Sequence, residues 1–221
     1  MINYFKRQIE LWGEEKQNSL KNKKIAIIGC GGLGSSLALA LGSSGIGEID
    51  LVDFDTVALH NIHRQIAFSL KDEGEYKSIV TKKLLQNRFD GVNINSFEIG
   101  FEEYALKNYK VDLILDATDN LAVRVLIDNF AKSIKTPWIY GSVEEFHGQI
   151  CFFDKSNFSS FQITDKTPAG IATPIVMNIA SFQANLALRY LVNLPIKKDK
   201  LYYLFFDNLG EFKLQAFNMP K

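Results

Sequence analysis

The sequence predicts an α/β fold: a mostly parallel sheet flanked by helices, with antiparallel strands toward the C-terminus. Three observations carry that reading. Short apolar, β-branched runs recur at residues 24–28, 48–52 and 111–116, the pattern of strands buried on both faces. Stretches with helical apolar spacing lie between them. The first run enters Gly29-Cys30-Gly31-Gly32-Leu33-Gly34, the strand, glycine turn and helix start of a Rossmann-like nucleotide-binding unit.

Residues 1–22 read as an N-terminal arm, amphipathic, helical up to Leu20 and packed on the sheet with Arg7 solvated. The strand at 24–28 then meets the glycines. A backbone that must bend tightly and admit a phosphate to its N–H groups has no room for a Cβ, and the helix start adds partial positive charge. A Leu/Ala-rich helix is expected from Ser35 to Ser44, stopped by Gly45-Ile46-Gly47. The second strand, 48–52, ends in Asp53-Phe54-Asp55, and Asp53 is placed to accept hydrogen bonds from ribose hydroxyls. Up to here any dinucleotide enzyme fits. The next segment, 56–65, ends in Arg64-Gln65, a cation and an amide for which a dehydrogenase has no evident need; Arg64 suits a polyphosphate.

Residues 75–89 have helical spacing with Lys77 in the first turn. A lysine there opposes the helix dipole unless an anion offsets it, so Lys77 is either a phosphate ligand or a solvated surface residue. A strand at 93–97 and a helix at 101–107 follow. The strand at 111–116 ends in Ala117-Thr118-Asp119-Asn120, at the same sheet edge as the glycine turn, because ligands of open parallel sheets bind beyond the carboxyl ends of the strands. Asp119 could hold Mg²⁺ beside a triphosphate, cap the helix expected at 121–134, or both. Strands at 137–143 and 148–153, a mobile polar crossing loop at 154–172, a helix at 174–192 and a hairpin (201–207 and 211–217, turning at Asn208-Leu209-Gly210) complete the chain.

With 221 residues, 47% of them hydrophobic, one domain spanning 1–221 is expected. Its 25 basic and 25 acidic residues cancel, which argues against holding nucleic acid or an anionic membrane by bulk charge. Neither a signal pattern nor an apolar run long enough to cross a bilayer is present. The two cysteines, Cys30 and Cys151, form no CxxC pair, so a disulfide framework and a cysteine-based zinc site are both excluded, and a reducing cytoplasm is the natural setting. His60 and His63 lack a third ligand in view and are expected to face solvent or a nucleotide; His147 is given no role.

Taken together, these segments resemble the ThiF/MoeB/HesA adenylyltransferases, relatives of the ubiquitin-activating enzymes, over nearly the whole chain. The resemblance rests on Arg7-Gln8-Ile9, the glycine turn, Asp53-Phe54-Asp55, Asn61 with Arg64-Gln65, Lys77, Asp116-Ala117-Thr118-Asp119-Asn120 with Arg124, and Gly148-Gln149, in that order. It implies ATP-dependent activation of the C-terminal Gly-Gly carboxylate of a small β-grasp carrier as an acyl-adenylate, with release of pyrophosphate. The carrier would be ThiS-like, in thiamine thiazole synthesis, or MoaD-like, in molybdenum cofactor synthesis. By the same resemblance Gly29, Gly31, Gly32, Gly34, Asp53, Asp55 and Asn120 line the nucleotide. Asn61, Arg64, Gln65 and Lys77 face its phosphates, and Asp119 binds Mg²⁺. Arg7, Arg64, Lys77 and Asp119 are the expected catalytic set, with Arg7 reaching into the partner subunit of a homodimer.

The sequence departs from its relatives in its thiols. Where most carry the first of two zinc-binding CxxC pairs it has Phe158-Ser159-Ser160-Phe161, and after the last strand it stops at Asn218-Met219-Pro220-Lys221. The crossing loop Thr164-Asp165-Lys166-Thr167-Pro168 has no cysteine either. No zinc and no thioester or persulfide on that loop are therefore expected, and sulfur would come from a separate donor. The same losses leave open a non-catalytic scaffold partner of an activating enzyme, and the family's other branches leave open another adenylated substrate such as a tRNA or a peptide carboxylate.

Overall fold

The computed structural model describes residues 4–161 and 170–220. The arm forms two short helices, α1 (Lys6–Trp12) and α2 (Glu14–Ser19), and a 3₁₀ turn. The single helical stretch expected up to Leu20 is thus broken, at Gly13, whose φ of +89° suits a residue without a Cβ. Then follow β1 (Lys24–Ile28), α3 (Gly32–Leu41), β2 (Glu48–Val52), α4 (Lys77–Arg88), β3 (Asn93–Phe97), α5 (Phe101–Leu106), β4 (Leu113–Asp116) and α6 (Leu121–Ser133). The C-terminal part holds β5 (Trp138–Glu144), β6 (His147–Phe153), α7 (Thr173–Leu191), β7 (Lys200–Phe206) and β8 (Phe212–Asn218).

All eight strands join one sheet in the order β3-β2-β1-β4-β5-β6-β7-β8. The pairs from β3 through β5 are parallel and those from β5 through β8 antiparallel, as the sequence predicts. Successive side chains of a strand face opposite ways, and β1 shows it: Ile25 and Ile27 enter a core with Leu37 and Leu41 of α3 and Ile179 of α7. Ala26 and Ile28 enter the other, with Tyr104 of α5, Ile127 of α6 and Trp138. Burial on both faces is why β1 reads as an unbroken apolar run.

Strand order reverses between β1 and β4, so the crevice beyond their carboxyl ends is where such a sheet takes a ligand. The expected crossing loop lies partly outside the described residues, including its run 164–168. Its opening residues, expected to be mobile, are anchored: the Asp199 carboxylate accepts the N–H groups of Asp154, Lys155 and Ser156, and Phe158 is buried. Among the described residues no helix is long and apolar enough to cross a membrane.

Candidate active site

At the end of β1 the chain turns through Gly29, with φ +91°, and a Cβ there would meet the Ala117 carbonyl oxygen at 2.7 Å. The tips of β1 and β4 therefore touch. A Cβ on Gly34 would lie 1.9 Å from the Gly29 oxygen, so the turn folds back on the helix it starts. That helix, α3, begins at Gly32, three residues ahead of the expected Ser35, and no side chain caps it. Its first amides lack a side-chain partner at the reversal of strand order, the arrangement an incoming phosphate satisfies.

Asp53 is fixed at the tip of β2. One carboxylate oxygen accepts the Cys30 N–H at 2.6 Å and the other the Asp55 N–H at 2.8 Å. Burial pushes its carboxyl up from the usual carboxylate value, while those two donors pull the other way. Asp55 in turn meets Lys77 twice. The Lys77 N–H donates to the Asp55 carbonyl at 2.9 Å and Nζ donates to its carboxylate at 2.8 Å. Lys77 is the first residue of α4 and only 5% exposed, which rules out the solvated-lysine reading. The anion that offsets its opposition to the helix dipole is Asp55.

The turn carrying Asn61, Arg64 and Gln65 packs on the glycines. A Cβ on Gly32 would sit 3.6 Å from the Arg64 carbonyl oxygen, and one on Gly31 would sit 3.4 Å from Gln65 Nε2. The Asn61 carbonyl accepts the N–H groups of both Arg64 and Gln65 at 3.1 Å, and its side chain accepts from Arg64 Nη2 at 3.0 Å. Arg64 Nη1 reaches the His60 carbonyl at 3.4 Å and His63 Nε2 at 3.0 Å. Among the described residues no carboxylate pairs with Arg64. Gln65 is buried, and its Oε1 has no hydrogen-bond partner among the described residues.

Beyond β4 a charged clamp holds the last piece. Asp116, fully buried, accepts from the Thr118 N–H, the Thr118 hydroxyl and Arg124 Nε at 2.9, 2.7 and 3.0 Å. Arg124 Nη2 donates to the Thr118 carbonyl at 2.5 Å and to that of Gly141 at 3.2 Å. Thr118 is thus held from three sides, and the next residue, Asp119, is exposed. Asp119 does not cap α6. The cap is Asn120, whose side chain accepts the Val123 N–H at 3.1 Å, because it directly precedes the first helical residue. The clamp residues are the functional feature that charge alone does not reveal: an arginine eight positions after a strand-end aspartate, reaching back from one helical face, is the signal.

Two expected residues stand elsewhere. Arg7 is 90% exposed on its side chain and pairs with Glu10 at 2.9 Å. Its neighbour Gln8 donates to the Ser44 carbonyl, past the far end of α3 from the glycine turn, so Arg7 is not brought to the site within one chain. His60 and His63 are exposed and make no metal cluster; among the described residues no three His, Cys, Asp or Glu groups converge on an ion position. His147 pairs with Glu145 at 3.5 Å. Cys30 and Cys151 are buried, and burial pushes the Cys30 thiol well up.

A glycine turn, a strand-tip carboxylate, a cationic turn and a clamped acidic loop meet at one sheet edge, and the ThiF family description matches residues 5–221. The chain belongs to the ThiF family. It is 34% identical over 196 residues to the adenylyltransferase and sulfurtransferase MOCS3 of Dictyostelium discoideum, covering 82% of this chain and 46% of that protein. It is 30% identical over 225 residues to the molybdopterin-synthase adenylyltransferase of Haemophilus influenzae, covering 94% and 90%. With the sulfur carrier protein ThiS adenylyltransferase of Escherichia coli it shares 30% over 197 residues, 84% and 78%. The chain spans about half the length of the first curated relatives it matches. Among solved structures, E. coli MccB crystallised with ATP superposes with a TM-score of 0.86 at 23% identity, over 98% of this ThiF-family chain and 71% of MccB; that likeness carries the fold.

Proposed function

We propose that this chain uses Mg-ATP to adenylate the C-terminal carboxylate of a small sulfur-carrier protein. The observation that supports this most is the Asn61–Gln65 turn seated on the glycine turn, with an arginine that pairs with no carboxylate among the described residues. A dinucleotide oxidoreductase has no use for such a cation there, whereas a departing pyrophosphate needs one. Relatives named for adenylating sulfur carriers agree with it.

The carrier carboxylate oxygen bonds to the α-phosphorus while the bond from that phosphorus to the bridging oxygen breaks; pyrophosphate leaves with the electron pair, and the carrier keeps AMP as a mixed anhydride. No proton need move. Free α3 amides and Arg64 receive phosphate oxygens, and Asp53 takes the ribose hydroxyls. Lys77, tethered to Asp55, adds a second cation. Asp119, exposed and making no hydrogen bond with the other described residues at a clamped tip, suits a hard cation held mainly by substrate phosphates, which takes only one or two protein carboxylates. That cation would screen charge on the leaving group. Within these residues both thiols are buried, so the reaction stops at the adenylate and a separate donor supplies sulfur.

Between carriers, a ThiS-like protein is our first choice and a MoaD-like protein the second, since relatives carry names of both kinds. Mixing the protein with Mg-ATP and each carrier should release pyrophosphate and raise the mass of one carrier by an adenylyl group. Failure to exchange labelled pyrophosphate into ATP with any carboxyl-terminal tail, despite ATP binding, would leave the scaffold reading in its place.

A further inference from the structure

We infer that His63 is a positioning residue that holds Arg64 in its phosphate-facing orientation and ties it to the start of α7. The inference rests on the adenylation reading for its consequences, but its geometry stands apart. His63 Nε2 lies 3.0 Å from Arg64 Nη1, and its Nδ1 lies 3.4 Å from the hydroxyl of Thr173, the first residue of α7. That hydroxyl donates to the His63 carbonyl at 2.8 Å.

The protons can be placed by elimination. A guanidinium has donors only, so Nε2 must be the bare nitrogen and Nδ1 must carry the hydrogen. Nδ1–H then points to the Thr173 oxygen, whose own hydrogen is already given to the carbonyl. One tautomer of a neutral ring satisfies every contact. A second proton on the ring turns Nε2 into a donor facing a donor and sets two cations side by side.

The groups facing the ring are Arg64 from its own turn and Thr173 from α7, whose N-terminal end is the positive end of a helix dipole. Among the described residues no carboxylate lies within ion-pair distance of His60 or His63.

Pyrophosphate exchange, read as kcat/KM for ATP, tests this with three variants. His63→Gln keeps an acceptor at the position of Nε2 and should stay within about threefold of wild type. His63→Leu removes the acceptor and should cost about tenfold at every pH. In an Arg64→Ala background neither change should matter further. A His63→Gln loss as large as that of His63→Leu, or a His63→Leu loss undiminished without Arg64, overturns the inference. Absence of exchange in the wild type would instead count against the function, and the inference is then read from nitrogen-15 NMR of the imidazole. The Nδ1–H tautomer is expected there, and the Nε2–H tautomer overturns it.

Discussion

The ammonium of Lys77 lies 2.8 Å from the Asp55 carboxylate, and the two residues differ sharply in exposure: the lysine side chain is 7% exposed and the aspartate 53%. Removing either partner therefore leaves a different remnant. Lys77→Met leaves an aspartate that water can solvate, so folding stability should barely change. Pyrophosphate exchange should fall roughly 10- to 100-fold, the worth of one charge-assisted hydrogen bond of about 1.5–3 kcal/mol. Asp55→Ala leaves the ammonium in a buried place without its counter-charge, and should cost about 1–3 kcal/mol in urea unfolding. Equal stability losses in the two variants would contradict this asymmetry.

Asp53 makes a prediction about acid. Its carboxyl is raised in the folded protein, so between the unfolded value and the higher folded value the native state binds more proton than the unfolded chain. Stability attributable to Asp53 is therefore greatest below the unfolded value and is lost as pH rises through the folded one. Urea midpoints measured upward from about pH 4 should fall more steeply in wild type than in Asp53→Asn. A bound ribose donates hydrogen bonds to the ionised form, so saturating ATP should reduce that difference. Identical slopes in the two proteins would show that burial does not govern this carboxyl.

Arg7 reaches no part of the site in its own chain. It sits beyond the far end of α3, and a ten-residue helix spans about 15 Å. If it acts, it acts on another copy. Mixing Arg7→Ala with Asp119→Ala subunits should then restore about a quarter of wild-type exchange, because half the dimers are mixed and each mixed dimer holds one complete site. Mixtures as inactive as their components would assign Arg7 to its pair with Glu10 alone.

What could be read from the sequence divides by mechanism. Residues 24–28, 48–52 and 93–97 were legible to the residue because strands of a parallel sheet leave a compact signal bounded by turns. The start of α3 was not, because Gly32 and Gly34 look like helix breakers. They are instead demanded by close neighbours, Val176 from a distant part of the chain for Gly32 and the Gly29 oxygen of the same turn for Gly34. Of the site, Asp53, Asn61, Arg64 and Gln65 were legible as chemistry, and the structure brings them to the glycine turn. Arg124, Gln17 and Gln183 were not legible as buried groups, since charged and amide side chains usually stay at the surface and only tertiary partners show where they went.

The cap of α6 gives the sharpest separation of structure from function at neighbouring positions. Asn120 accepts the Val123 N–H, while Asp119 beside it makes no hydrogen bond with the described residues. Asn120→Ala should cost about 1 kcal/mol of stability through the lost cap. Its exchange rate should change little unless the fraying reaches Asp119, which the Asp116–Arg124 clamp on Thr118 opposes from the strand side. Asp119→Ala should leave the unfolding midpoint in place and lower exchange by at least 100-fold at any one Mg²⁺ concentration, about 2.7 kcal/mol of lost transition-state stabilisation. Asp119→Asn keeps the shape but not the charge and should recover part of the rate only at raised Mg²⁺. A destabilised Asp119→Ala with normal exchange would reverse the two roles, returning the cap to Asp119 and leaving the metal without its carboxylate.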